Sequence, residues 1–189
     1  LQFDADYIGT SNLFADSELC ILISEILISC GLEPNEFNIK ISNRKLSKGL
    51  LEKLNIVDEQ KQSITLRAID KLDRVGIEGV QYLLGKGRKD KSGDFTKGAE
   101  LEEYQIKEII SFLNIKNLSE NNYENIKKIA EGNQTMQEGI AEMQLMEKYF
   151  SLFNFTNYIF DPTIVRGLEY YTGPIFEANL TFGVQNKKG

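Results

Sequence analysis

Residues 166–174 read Arg-Gly-Leu-Glu-Tyr-Tyr-Thr-Gly-Pro and lead directly into an alternating segment, 174–182. In that segment apolar residues hold the even positions from 176 onward and polar residues the odd ones, which predicts a strand with one face toward a core. Gly167 allows the backbone to approach a ligand closely, and Tyr170 and Tyr171 each combine a flat apolar ring with a polar hydroxyl. This composition is typical of a substrate site, although the same residues are compatible with an ordinary surface turn.

The chain before this stretch supplies further strands and two long helices. Strict alternation predicts a strand at 37–42, and similar signals predict strands at 2–9 and 156–160. Helical periodicity predicts helices at 13–30 and 134–152, the second with a stripe that contains all three methionines and is expected to pack in a core. Strands separated by a long helical excursion indicate an α+β fold with an antiparallel sheet.

The excursion itself, residues 44–132, has a mostly helical pattern. The predicted helices cover 47–54, 64–75, 77–84, 101–113 and 123–130. Between them, residues 89–98 are polar and contain glycine, which predicts a loop. Residues 40–97 contain 14 Lys and Arg against 8 Asp and Glu, whereas the whole chain has a net charge of −6. A basic middle in an acidic chain is suited to a phosphate backbone, although lysines on amphipathic helices are usually solvated.

Composition excludes several mechanisms. The 189 residues are 41% hydrophobic and 26% charged, and they contain no histidine. A Ser-His-Asp triad or an imidazole general base is therefore impossible within this segment. Cys20 and Cys30 point in different directions on one predicted helix, so they are expected to be two buried free thiols in a reducing cytoplasm. Two cysteines without histidine do not make a structural zinc site, and no metal site is predicted.

Two motifs, in order, resemble those of the histidyl-tRNA synthetase family. Residues 166–173 are similar to the family's histidine-binding motif, usually written Arg-Gly-Leu-Asp-Tyr-Tyr-Thr-Gly, and differ from it only at Glu169. Residues 2–9, Gln-Phe-Asp-Ala-Asp-Tyr-Ile-Gly, are similar to the end of the family's motif 2. Residues 38–50 and 68–80 also resemble the family, so the resemblance covers nearly the whole chain.

The resemblance implies a fold and a set of site residues. The fold is the class II synthetase antiparallel sheet, with catalytic parts at 1–43 and 133–189 and a helical insertion at 44–132. Arg166 matches the catalytic arginine that contacts the α-phosphate of ATP and the substrate carboxylate. Asp6 and Tyr171 match positions that contact histidine, Tyr170 is adjacent to Tyr171 in sequence, and Gln2 matches a position that holds the amino acid near its carboxylate.

The resemblance also implies an activity and partners. It implies ATP-dependent activation of histidine to histidyl-adenylate and transfer to tRNA(His), in a cytoplasmic homodimer. ATP with Mg²⁺ is then a substrate, and no tightly bound cofactor is expected. Because the chain begins within motif 2 and ends before motif 3, it is expected to be an internal fragment that is inactive alone. Two alternatives stay open: a non-catalytic regulatory subunit of histidine biosynthesis with the same fold, and a protein-interaction module.

Overall fold

The structure is a computed structural model that describes residues 2–89, 93–115, 123–165 and 171–183. The helices are α1 (Leu13–Ser29), α2 (Arg44–Lys53), α3 (Glu59–Asp70), α4 (Leu72–Leu84), α5 (Glu103–Leu113), α6 (Tyr123–Ala130) and α7 (Gln134–Leu152). The strands are β1 (Phe37–Asn43), β2 (Gly87–Lys89), β3 (Phe95–Lys97), β4 (Tyr158–Phe160) and β5 (Pro174–Leu180). The predicted α+β fold is confirmed.

A three-stranded sheet in the order β4–β1–β5 organises the fold. β1 and β5 are antiparallel, from Phe37 opposite Leu180 to Asn43 opposite Pro174. β1 and β4 are parallel, because the chain reaches β4 only after the long helical crossover from α2 to α7. The sheet is therefore mixed, with its most extensive pairing antiparallel.

The two faces of the sheet have different chemistry. Ile39 and Ile41 of β1 are buried on the same face as Tyr158 of β4, whose ring lies 4.6 Å from that of Phe150 in α7. Lys40 alternates with them on the opposite, polar face, toward the junction of α3 and α4. The strand predicted at 174–182 is confirmed as β5, although it ends at Leu180. Its predicted core face is only partly covered, because Phe176 packs against the core whereas Ala178 and Leu180 are exposed.

Helix α7 forms the centre of the core. The methionines and their apolar neighbours on one stripe are almost completely inaccessible to solvent, which confirms the core prediction; they are Met136, Ile140, Met143, Met146 and Phe150. Phe153, just after the helix, continues the stripe in sequence but is exposed and contacts the ring of Phe14 in α1. Helix α1 faces the core with small residues, of which Ser17, Cys20 and Ser24 are buried.

A close helix contact between α2 and α7 depends on Gly49. A Cβ atom added at this position would overlap the side chains of Asn133 and Met136 and lie 2.8 Å from the Met136 backbone nitrogen. We expect Gly49→Ala to lower the free energy of unfolding by about 1–3 kcal/mol, despite the better helix propensity of alanine. Chemical denaturation measures this. The exposed neighbour Lys48, changed to alanine, is the control, and equal stability of both variants would contradict the tight packing.

Several sequence predictions need correction. Residues 2–9 do not form a strand, because they pair with no strand of either described sheet and so leave their backbone to solvent. The helix predicted at 64–75 is two helices, α3 and α4, that meet at Lys71. Within α4, Gly76 has a non-helical backbone with φ of 68°. This interruption separates the first turn of α4 from residues 77–84, which were predicted to be a helix of their own.

The predicted loop at 89–98 is also partly wrong. β2 and β3 pair as an antiparallel hairpin, with Arg88 opposite Thr96, because backbone pairing outweighs the polar side chains. Residues 90–92 lie outside the described range.

Both cysteines are free, as predicted, but only one of them is buried. Cys30 follows α1 and is exposed, whereas Cys20 is buried and its burial raises the thiol pKa. In the described part of the chain, no helix has the length and apolar character needed to cross a membrane.

Candidate substrate site on the polar face of the sheet

The segment that leads into the Arg166 motif is held against the sheet by Asp161. Its backbone N–H donates to the carbonyl of Ile41 in β1 at 2.8 Å. Its carboxylate accepts hydrogen bonds from the backbone N–H of Thr163 at 3.0 Å and from the Thr163 hydroxyl at 2.6 Å. The Ile164 N–H donates to the Asp161 carbonyl at 3.2 Å. The Asp-Pro-Thr sequence therefore forms a compact turn directly after β4.

An ion pair fixes the same carboxylate to the central strand. The ammonium of Lys40 lies 3.3 Å from a carboxylate oxygen of Asp161, and the two side chains are 26% and 14% exposed. Glu177 of β5 is in register with Lys40 on the other side of β1. These residues line a cavity of about 150 Å³ that also borders Val165, the residue before Arg166. The entrance to the motif is thus a polar recess on the face of the sheet opposite α7.

The exit from the motif is held at the end of the same strand. The Arg44 N–H donates to the carbonyl of Gly173 at 2.8 Å. The neighbouring Asn43, 1% exposed, accepts a hydrogen bond from the Lys45 N–H and donates one to Glu142 of α7 at 2.7 Å. Both ends of the motif therefore depend on β1, and the asparagine that caps α2 also connects to α7.

Charged groups around Glu142 stabilise this exit. The ammonium of Lys45 contacts Glu142 at 2.7 Å and Glu138 at 3.2 Å. Hydrogen bonding to Glu142 raises the pKa of Lys45, and hydrogen bonding to Lys45 lowers the pKa of Glu138. Burial raises the pKa of the nearby Asp16 carboxyl in α1, and the charge of Glu142 adds to that effect. The lysine therefore offsets a concentration of negative charge close to Gly173.

The predicted residues at the start of the chain lie in an extended, exposed segment. Gln2 and Asp6 are both exposed, and the Gln2 amide donates to Asp4 at 2.9 Å. The hydroxyl of Tyr7 donates to the carboxylate of Glu18 in α1, and this hydrogen bond raises the pKa of the tyrosine. The segment is thus connected to α1, and the approach of Gln2 and Asp6 to the motif stays a prediction.

Tyr171 is the one predicted motif residue that the structure describes, and it is partly buried beside the exit at Gly173. Arg166 and Tyr170 lie outside the described residues. Sequence reasoning missed Lys40 and Asp161: an Asp-Pro turn and a lysine on the polar face of a strand were both visible, but their pairing requires the strand order. In the described ranges, no group of three acidic, histidine or cysteine residues is arranged to hold a metal ion.

A second candidate surface lies in the helical block. Strand β2 and helix α4 border a cavity of about 410 Å³ lined by Glu78, Gly79, Tyr82 and Arg88, among others. The Arg88 guanidinium lies directly over Gly79, where a Cβ atom would be 2.5 Å from it. Tyr82 and Phe95 expose 64% and 60% of their surfaces. Exposed aromatic rings beside cationic side chains are typical of surfaces that bind nucleic acids.

The described residues thus combine a sheet that holds the segments on both sides of residues 166–170 with a helical block that exposes aromatic and cationic side chains. The family model described as histidyl-tRNA synthetase matches residues 1–181. The chain belongs to the histidyl-tRNA synthetase family.

Individual relatives agree with this assignment. The chain is 44% identical to a histidine–tRNA ligase of Bartonella henselae and 41% identical to one of Brucella ovis, over 100% of this chain and 39% of each relative. The chain thus spans about two fifths of the length of these relatives.

Two solved structures share the fold. A histidyl-tRNA synthetase from Nostoc sp. PCC 7120 has a TM-score of 0.75 at 22% identity, over 91% of this chain and 38% of that one. A Bacillus halodurans protein described as an ATP phosphoribosyltransferase regulatory subunit/histidyl-tRNA synthetase has a TM-score of 0.71 at 21% identity, over 93% and 42%. The predicted synthetase-like fold is therefore confirmed.

Proposed function

We propose that this chain is part of a histidine–tRNA ligase, which activates histidine with ATP and transfers it to tRNA(His). The observation that carries the proposal is the family match over residues 1–181, with both substrate motifs present in order. The recess and the Gly173 exit on the polar face of the sheet support it, because they hold both ends of the second motif at one strand.

Arg166 is proposed as the catalytic residue. Amino-acid activation joins a carboxylate to the α-phosphate of ATP and releases pyrophosphate, so negative charge accumulates at that phosphorus in the transition state. A planar guanidinium matches the phosphate oxygens in geometry and keeps its charge. Fixed cations directed at developing charge account for much of the rate enhancement in such sites. Mg²⁺ is proposed to arrive with ATP and neutralise its phosphates.

The histidine pocket is proposed to include Gln2, Asp6, Tyr170 and Tyr171. A carboxylate and phenol hydroxyls pair with both ring nitrogens of an imidazole, whereas another aromatic side chain would shield these polar groups from water and leave them without partners. Gln2 is proposed to hold the amino acid near its carboxylate. In this arrangement polar groups determine specificity, which gives stronger discrimination than an apolar pocket of the same shape.

Aminoacylation by the full-length protein tests the ligase proposal. We expect ATP-dependent attachment of histidine to tRNA(His) transcripts. A protein that attaches no histidine but stimulates ATP phosphoribosyltransferase would instead be a regulatory subunit. One that binds neither histidine nor ATP would be a protein-interaction module.

Residues 44–132 are proposed to form a helical insertion. This helical block is proposed to contact tRNA through residues 86–97. The exposed Tyr82 and Phe95, with Arg88 and Lys89 between them in sequence, support this location. Resemblance to the family supports two further proposals, catalytic parts at 1–43 and 133–189 and a cytoplasmic homodimer whose interface involves regions that this chain does not span.

Charge reversal in the hairpin is expected to weaken tRNA binding specifically. In the full-length ligase, Lys86→Glu with Lys89→Glu should lower affinity for tRNA(His) and reduce the slope of log affinity against log salt by about 1 for each phosphate that the protein no longer neutralises. Histidyl-adenylate formation should be nearly unchanged. Filter binding at several salt concentrations measures this, with Lys148→Glu on the exposed side of α7 as the control. An unchanged salt slope would place the tRNA elsewhere.

A further inference from the structure

We propose that Lys40 and Asp161 are positioning residues for Arg166: their ion pair fixes the turn that precedes the arginine in the chain. This proposal rests on the proposed function of Arg166. It adds a requirement that the motif alone does not contain, namely a lysine on the central strand and a carboxylate five residues before the arginine.

Asp161 is held in place by several interactions at once. The backbone N–H of Asp161 donates a hydrogen bond to the carbonyl of Ile41 in β1. Its carboxylate accepts two hydrogen bonds from Thr163 and forms an ion pair with Lys40. Val165 at the end of the turn is buried, at 3% exposure. The chain therefore enters Arg166 from a segment fixed at both ends. A shift of this segment would be transmitted directly to the next residue.

Lys40 lies in an acidic and partly buried environment. Its neighbours on both adjacent strands are acidic, Asp161 beside β4 and Glu177 on β5, and all three line the same recess. The pair is mostly withdrawn from solvent, so it is less screened than an ordinary surface pair. The pair between Glu124 and Lys127 illustrates the contrast: it spans 3.6 Å with both side chains largely exposed.

Catalytic rates are sensitive to the position of the reacting groups. A misplacement of about 1 Å in a reacting group can cost about 100-fold in rate. A guanidinium that must meet phosphate oxygens in a planar geometry is subject to that limit. Loss of the Lys40–Asp161 pair would leave the motif sequence intact while releasing its point of attachment. The expected consequence is a slower activation step in a folded protein.

Two substitutions isolate the ion pair. Asp161→Asn keeps an oxygen that can accept from Thr163 but removes the charge that attracts Lys40. Lys40→Met keeps the apolar stem of the lysine and removes its ammonium. In the full-length ligase, each is expected to lower kcat/KM for histidine-dependent ATP–pyrophosphate exchange by about 10-fold or more. Glu124→Gln, which breaks the exposed pair on α6, is the matched control and should have no effect.

A double-mutant cycle separates positioning from a merely structural role. Asp161→Asn is combined with Arg166→Lys, which keeps a cation and measurable activity, in single-turnover adenylate formation. If Asp161 acts through Arg166, its substitution should have little further effect in the Arg166→Lys background. Equal fold losses in both backgrounds would overturn the proposal, as would normal exchange by both single variants. If wild-type ligase shows no exchange, the proposed function fails; if only the cycle is additive, the positioning role alone fails.

Discussion

Replacing Arg166 with alanine in the full-length ligase is expected to reduce histidine-dependent ATP–pyrophosphate exchange by about 100- to 1,000-fold. This is the usual cost of removing one preorganised group that stabilises developing negative charge. The effect should appear mainly in kcat, because the charge on the α-phosphate is greatest in the transition state. Arg166→Lys should retain intermediate activity, since an ammonium supplies the charge without the planar fork.

The control for this experiment is Arg67→Ala. Arg67 is an exposed arginine on α3, so its removal changes the net charge equally without altering the substrate motif. We expect normal exchange from this variant and unchanged thermal unfolding from both. Full activity of Arg166→Ala would show that another cation serves the α-phosphate, and the assignment of the catalytic arginine would be wrong.

Phe150→Ala should have the largest effect on stability, about 3–5 kcal/mol in the free energy of unfolding. The side chain is completely buried in α7. Its ring lies 4.6 Å from that of Tyr158 and 5.2 Å from that of Phe155. Truncation would leave a cavity between α7 and the side of β4 from which Tyr158 projects. Because several rings share this contact, the surrounding side chains have little freedom to close the space.

Chemical denaturation of the 189-residue chain, followed by circular dichroism, measures this loss. Leu152→Ala is a matched control, because Leu152 lies on the same helix with 75% of its surface exposed and should change stability by no more than about 0.5 kcal/mol. Similar midpoints for Phe150→Ala and Leu152→Ala would mean that α7 does not bury its predicted stripe.

Local periodicity accounts for what the sequence predicted well. The helices at 123–130 and 134–152 match α6 and α7 at both ends, because their apolar spacing is regular and Asn133 caps the second one. The strand at 37–42 is one residue shorter than β1, whose final residue, Asn43, also caps α2. In these segments one pattern determines both the secondary structure and the buried face.

Features that depend on distant partners could not be predicted in the same way. Residues 2–9 alternate well enough for a strand, but a strand also needs a neighbour for its backbone bonds. The hairpin of β2 and β3 is the reverse case. Its polar side chains predicted a loop, but the backbones of the two segments pair as antiparallel strands. The pairing of Lys40 with Asp161 joins positions 121 residues apart, and only the strand order reveals it.

The most direct test of the central claim is ATP–pyrophosphate exchange by the full-length protein, measured separately with each of the standard amino acids. The proposed ligase predicts exchange with L-histidine and background rates with the others, including phenylalanine and asparagine, which have part of its shape or polarity. Exchange with a different amino acid would contradict the assignment of Gln2, Asp6, Tyr170 and Tyr171 to a histidine pocket. Absence of exchange with every amino acid would contradict the ligase function itself.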